Sequence, residues 1–122
     1  MARILLVEDD IDQAVMYKTA LEEVGLSVTV AEDGEQGLAK AKEGKWDLIV
    51  LDVVIPKISG DVVLRELKKE PALKDKRILV FTNLEKKGLN EELVAAGGCC
   101  VWKKTDLIPS EFAKKVKQLV SI

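Results

Sequence analysis

Histidine is missing altogether from this chain of 122 residues. Its absence excludes Ser-His-Asp and Cys-His nucleophilic chemistry and any histidine-ligated metal. A bound metal would therefore be oxygen-ligated, which means Mg²⁺, Mn²⁺ or Ca²⁺. Cysteine is nearly missing too. Cys99 and Cys100 are adjacent, a spacing that matches no zinc motif and makes a poor disulfide framework, so they read as reduced cytosolic thiols. No apolar run reaches membrane-spanning length. A strand begins almost at the first residue, leaving no visible signal peptide, so a cytoplasmic protein without membrane contact is expected. The net charge of −2 comes with no dense basic run, so no direct nucleic-acid contact is expected. No repeat, low-complexity segment or linker interrupts residues 1–122, which fit a single domain.

What is present has the balance of a globular protein, with 48% apolar and 33% charged residues. Short runs rich in Val, Ile and Leu recur at 2–7, 28–31, 47–52, 77–82 and 99–102. Longer segments with helical spacing separate them. Ala14, Tyr17, Leu21 and Val24 form one stripe, and Phe112, Val116, Leu119 and Val120 another. Gly25 and Gly44 are placed to end the first two helices. Asp10 with Gln13, and Asp33 with Gln36, have the spacing of helix starts. Five strands alternating with five helices predict a doubly wound α/β fold with a parallel sheet covered on both faces.

In "LLVEDD", residues 5–10, the first strand runs directly into three acids. Doubly wound sheets bind ligands at the carboxyl ends of their strands, near the topological switch point. In the strand order 2-1-3-4-5, the first and third strands are neighbours, so Glu8 and Asp9 would meet Asp52. Clustered carboxylates repel unless a cation neutralises them, and Mg²⁺ with a few carboxylates and several waters fits. The fourth strand closes on Thr82, and the fifth leads to Lys103 and Lys104. A hydroxyl and an ammonium beside acids and a divalent cation make a cradle for a phosphoryl group. One of the carboxylates would then be its nucleophilic acceptor.

These motifs resemble those of the response-regulator receiver domains of two-component signalling. "ILLVEDD" is similar to that family's acidic first-strand motif. "LIVLDVVIPKISG" resembles its aspartate motif, with Pro56 and Gly60 at the expected offsets. "VFT" resembles its hydroxyl-ended strand, and "AAGGCCVWKKTD" the segment with its lysine. The resemblance implies a flavodoxin-like (βα)5 fold, with Asp52 as phosphoacceptor and Thr82 as the switch hydroxyl. Counting from Gly97, it places the family lysine at Lys104; Lys103 would face the other side of the strand. The metal, Mg²⁺ or Mn²⁺, would be held by Asp9 and Asp52, with Glu8 and the carbonyl of Val54 in support. The implied donor is a sensor histidine kinase or a histidine phosphotransfer protein. The implied output is a downstream protein bound at the face of the fourth helix, fifth strand and fifth helix, on a monomer or weak homodimer. Lysines 103, 104, 114, 115 and 117 give that face a basic tint.

Three positions depart from the family pattern. Val101 stands where an aromatic is common, with Trp102 one residue along. Asn83 follows Thr82 where a small residue is usual. Thr105 follows Lys104 in place of proline. Other functions fit less well. A Mg²⁺-dependent aspartate phosphatase would carry D-x-D-x-T, whereas Asp52 is followed by Val53 and Val54. A flavin carrier would need a hydroxyl- and glycine-rich loop where this chain has "EDDID". An interaction module independent of phosphorylation remains the main alternative.

Overall fold

A computed structural model describes residues 1–121. Its strands are β1 (Arg3–Val7), β2 (Ser27–Ala31), β3 (Leu48–Leu51), β4 (Ile78–Thr82) and β5 (Cys100–Lys103). Its helices are α1 (Ile11–Glu23), α2 (Gly34–Glu43), α3 (Gly60–Lys68), α4 (Leu89–Ala95) and α5 (Pro109–Val120), with a 3₁₀ turn at Lys104–Asp106. All strand pairings are parallel, in the order β2-β1-β3-β4-β5. This is the doubly wound sheet that the alternation predicts, in the flavodoxin-like order that the family resemblance implies.

The central strands are apolar without interruption because each side of the sheet has its own core. Side chains alternate across a strand, so neighbours in β1 part company. Leu5 and Val7 join Ile49, Leu51, Val63, Leu64 and Leu67 on the side of α2, α3 and α4. Ile4 and Leu6 join Tyr17, Leu21, Phe81, Phe112 and Val116 on the side of α1 and α5. The second core is tied by aromatic contacts. Phe81 stacks on Phe112 with centroids 4.2 Å apart, and Tyr17 meets both rings edge-on.

Several boundaries differ from the sequence reading. Val24 packs against the same core as the α1 stripe, but from just past the end of the helix. It caps the helix, half-buried, and Gly25 follows with φ 88°, the left-handed conformation that turns the chain into β2. The stripe also includes Ala20. Gly44 does cap α2, but in an extended conformation with φ −103°; it leaves room for the ring of Trp46. Cys99 lies before β5, and that strand runs on to Lys103. Asp47 and Asp52 flank β3 without joining it. Pairing decides these ends, and pairing partners are invisible in a local pattern.

Gly60 begins α3 directly behind the end of β3. A Cβ there would lie 2.0 Å from the carbonyl oxygen of Asp52, so only glycine permits the approach. Gly60 N–H also donates to Val53 O at 2.8 Å. The close contact fixes the loop that leaves Asp52. Gly60→Ala is expected to destabilise the fold by about 2 kcal/mol, the usual cost of forcing atoms into a packed site. Urea denaturation checks this, and an unchanged midpoint would show that the loop yields freely.

Candidate functional site

Because neighbouring parallel strands end together, the residues just beyond them form an open cleft. It brings Glu8, Asp9, Asp52, Val54, Thr82 and Lys104 to one place. These are the residues expected to hold the metal and the phosphoryl group. The lysine is Lys104: its side chain is buried, whereas Lys103 lies on the other side, paired with exposed Glu85.

Asp52 is the hub. Its Oδ1 accepts from Thr82 Oγ1 at 2.6 Å and from Val54 N–H at 3.1 Å. Its Oδ2 lies 2.7 Å from Lys104 Nζ. The same ammonium forms a close ion pair with Glu8 and donates to Gln13 Oε1 at 2.9 Å. Glu8, Asp52, Thr82 and Lys104 are all buried, at 8% exposure or less. Burial raises the pKa of Glu8 above the carboxylate range, though the hydrogen bond and charge of Lys104 oppose it. Burial alone would lower the pKa of Lys104. Its hydrogen bonds to Asp52 and Glu8 outweigh burial and hold it above the ordinary lysine range.

Some of this geometry escaped the sequence reading. Asp10 does cap α1, accepting from Gln13 N–H at 3.0 Å. The Gln13 side chain, however, reaches to Lys104 instead of back to the cap. Asp10 N–H donates to Glu8 Oε2 at 3.2 Å, which leaves Gln13 free for this role. Two departures from the family pattern also meet. Asn83 Oδ1 accepts from Thr105 N–H at 2.9 Å, a hydrogen bond that proline at position 105 could not donate. It ties the residue after Thr82 to the residue after Lys104. Trp102 pairs in register with Phe81 and meets Phe112 edge-on at 6.2 Å, with Lys115 Nζ 4.6 Å from its ring centre. Trp102 therefore packs against α5, and position 101 itself holds valine.

The donor chemistry suits Mg²⁺ held with much of its water. The donors are all oxygen, and Asp9 is exposed beside the buried acids. Among the described residues, no three acidic or thiol side chains converge to enclose a metal ion. Glu8 is committed to Lys104 and Asp10. A cation needing many protein ligands, such as Ca²⁺, therefore fits less well.

The chain matches the response regulator receiver domain family over residues 4–107. It belongs to that family. It is 46% identical over 66 residues to the uncharacterized transcriptional regulatory protein YkoG of Bacillus subtilis, covering 54% of this chain and 29% of that protein. It is 33% identical over 82 residues to protein PilH of Pseudomonas aeruginosa, covering 67% and 68% respectively. The structure of the chemotaxis response regulator CheY4 of Vibrio cholerae superposes with TM-score 0.87 at 30% identity, covering 98% of each chain. The match thus spans less than a third of the length of the first of these relatives. The chain is a receiver domain of the two-component response-regulator type. Among the described residues, no helix of this receiver domain is long and apolar enough to cross a membrane.

Lys104 neutralises two buried carboxylates, and removing one partner of such a cluster typically costs about 3–5 kcal/mol. Lys104→Met is expected to lose stability of that order at neutral pH in chelator-treated buffer, while Lys103→Ala leaves the midpoint essentially unchanged. The pH dependence follows from the shifts. Lys104 is raised, so its contribution is present throughout the range below ordinary lysine ionisation and fades only as pH climbs through its raised value. Glu8 is raised, so the folded state takes up its proton before the unfolded chain does as pH falls. The gap between Lys104→Met and the parent should therefore narrow on acidification. Urea midpoints across pH 7 to roughly pH 5 test this; a gap that widens towards acid would contradict it.

Proposed function

We propose that this receiver, with residues 1–122 as one unit, accepts a phosphoryl group on Asp52. The observation that carries the reading is the meeting of Thr82 Oγ1 and Lys104 Nζ on opposite oxygens of one buried carboxylate, at 2.6 and 2.7 Å. A carboxylate oxygen of Asp52 attacks phosphorus, the bond from phosphorus to the donor nitrogen breaks, and an acyl phosphate forms. The donor is a phosphohistidine on a sensor histidine kinase or a phosphotransfer protein, which places the reaction in the cytoplasm. Lys104 offers its ammonium to the phosphoryl oxygens. Mg²⁺ (or Mn²⁺), held by Asp9 and Asp52 with the Val54 carbonyl and, through water, Glu8 in support, would neutralise further oxygen charge.

The new group brings a charge of roughly −1.5 to −2. It offers Thr82 a stronger acceptor than the carboxylate oxygen it holds now. Leu84 N–H donates to the same hydroxyl at 3.2 Å, so movement of Thr82 carries the loop after β4 with it. That loop borders the face of α4, β5 and α5. We assign this face to the downstream protein, acting on a monomer or weak homodimer.

Phosphorylation with acetyl phosphate and Mg²⁺, followed by intact mass, tests the reading. The parent should gain one phosphoryl group and Asp52→Asn none. Asp9→Asn should lose the metal-dependent phosphorylation while remaining folded. Addition to Asp52→Asn would move the acceptor elsewhere; no addition to the parent would favour an interaction module independent of phosphorylation.

The lifetime of the acyl phosphate depends on a water attacking in line. Val54 and Leu84 line the cleft beside Asp52 and are exposed at its mouth. Neither side chain can orient a water or accept its proton. Help of that kind is typically worth ~10²-fold or more, so slow self-dephosphorylation is expected. Combining Val54→Asn with Leu84→Glu should shorten the lifetime at least roughly tenfold, read as phosphate release from purified phosphoprotein in excess Mg²⁺. A lifetime of seconds in the parent, unmoved by the pair of substitutions, would refute this.

A further inference from the structure

The start of β5, at the opposite end of that strand from Lys104, carries the adjacent cysteines. Cys99 is exposed, in the bend before the strand, and Cys100 is half-buried as its first residue. Their Sγ atoms lie 2.9 Å apart. Successive side chains within a regular strand point to opposite faces, so the bend at Cys99 is what brings the two sulfurs together. Cys99 N–H donates to Ile78 O at 2.9 Å, which anchors that bend to β4.

The surroundings are electropositive. Lys68 is held in place by the carbonyls of Lys74 and Lys76, at 3.0 and 2.6 Å, and its alkyl chain passes under Gly97. Arg77 is fixed by its hydrogen bond to Leu119 O. The hydrogen bond from Cys100, then these two cations, lower the pKa of Cys99 to about 7 against the opposing effect of burial. The same sulfur contact, followed by burial, pushes Cys100 up. The two thiols are thus unlike: one exposed and readily ionised, the other sheltered and protonated. A low-pKa, accessible thiol beside a second thiol is the arrangement of redox-sensing cysteines.

We propose that Cys99 and Cys100 form a peroxide-responsive dithiol, with Cys99 the attacking sulfur and Cys100 the resolving one. The Cys99 thiolate attacks one peroxide oxygen, the O–O bond breaks, and the departing hydroxide takes a proton to leave as water. Cys99 is left as a sulfenic acid, oxidised by two electrons. The Cys100 sulfur then attacks the Cys99 sulfur, the S–O bond breaks, and a second water leaves with the Cys100 proton. One peroxide becomes two waters while two thiols become one disulfide. The product is a ring closed through a single peptide bond. Exposed or strained disulfides are the readily reduced, regulatory kind, so a thiol reductant reverses it. The ring sits where β5 joins β4, which couples oxidation to the strand that leads to Lys104.

The experiment treats the whole chain with equimolar hydrogen peroxide at neutral pH, alkylates remaining thiols and measures intact mass. The parent is expected to lose the mass of two hydrogens, take up no alkyl group, remain a monomer and return to two free thiols with dithiothreitol. In Cys100→Ser, whose hydroxyl can still donate to Cys99, dimedone should trap a sulfenic acid. That trapping should run roughly tenfold faster than at Cys100 in Cys99→Ser, because a thiol ionised near neutrality presents about that much more thiolate than an ordinary one. Two alkyl groups on the peroxide-treated parent would overturn the proposal. So would disulfide-linked dimers, direct passage to sulfinic acid, or equal trapping in the two variants. These readouts are independent of phosphorylation at Asp52.

Discussion

The ammonium of Lys104 lies between the carboxylates of Glu8 and Asp52, with all three groups buried. Two carboxylates so placed repel strongly in a medium less polar than water. The lysine turns the repulsion into attraction and draws three strand ends together: Glu8 follows β1, Asp52 follows β3, and Lys104 follows β5. Gln13, at the start of α1, supplies a further acceptor. The ion cluster is therefore a structural joint and the centre of the cleft at once. Under the proposed function, an incoming phosphoryl group would compete for the ammonium that holds the joint, and phosphorylation would act on packing as well as on charge.

The joint needs rigid strands behind it, and the alternating cores provide them. Ile4 and Leu6 belong to one core and Leu5 and Val7 to the other, so β1 is gripped from both sides up to the residue before Glu8. β3 is enclosed in the same way up to Asp52. Gly60 then presses against the Asp52 carbonyl and prevents the loop from drifting. Precision at the carboxylate is in this sense a property of apolar residues on either side of it.

Strand existence and the acidic strand ends were legible in the sequence because they follow from local alternation; the sheet order was legible through the family resemblance, among the short list of doubly wound topologies. The choice of Lys104 over Lys103 came from counting from Gly97 in the family pattern; strand geometry adds that a slip of one residue would change the face. Strand ends were less legible: Cys99 looks like part of an apolar strand, but it lies in a bend, and the ladder with β4 begins at Cys100. Gln13 read as a capping residue because its spacing from Asp10 fits that role, and half of the reading holds. Its side chain goes elsewhere because Lys104, 91 residues away in sequence, offers a charged donor. Asn83 and Thr105 each looked like an isolated departure. Their hydrogen bond spans 22 residues, and no local pattern carries it.

That last pair shows how the two loops at the site are linked. Among the described residues, β5 is an edge strand, paired with β4 alone, and its residues are half-buried. Its position rests on the β4 ladder, on Trp102 against Phe112, and on the Asn83–Thr105 hydrogen bond at its end. Thr82 and Lys104 touch the same carboxylate, and the residues that follow them touch each other. Under the proposed switch, movement of Thr82 would pull on the backbone beyond Lys104 through Asn83, without requiring an aromatic at position 101. Asn83, a bulky hydrogen-bonding residue after Thr82, and Thr105, a non-proline after Lys104, work as a pair. Changing either one alone leaves a polar group unmatched, whereas changing both restores a consistent, if looser, loop.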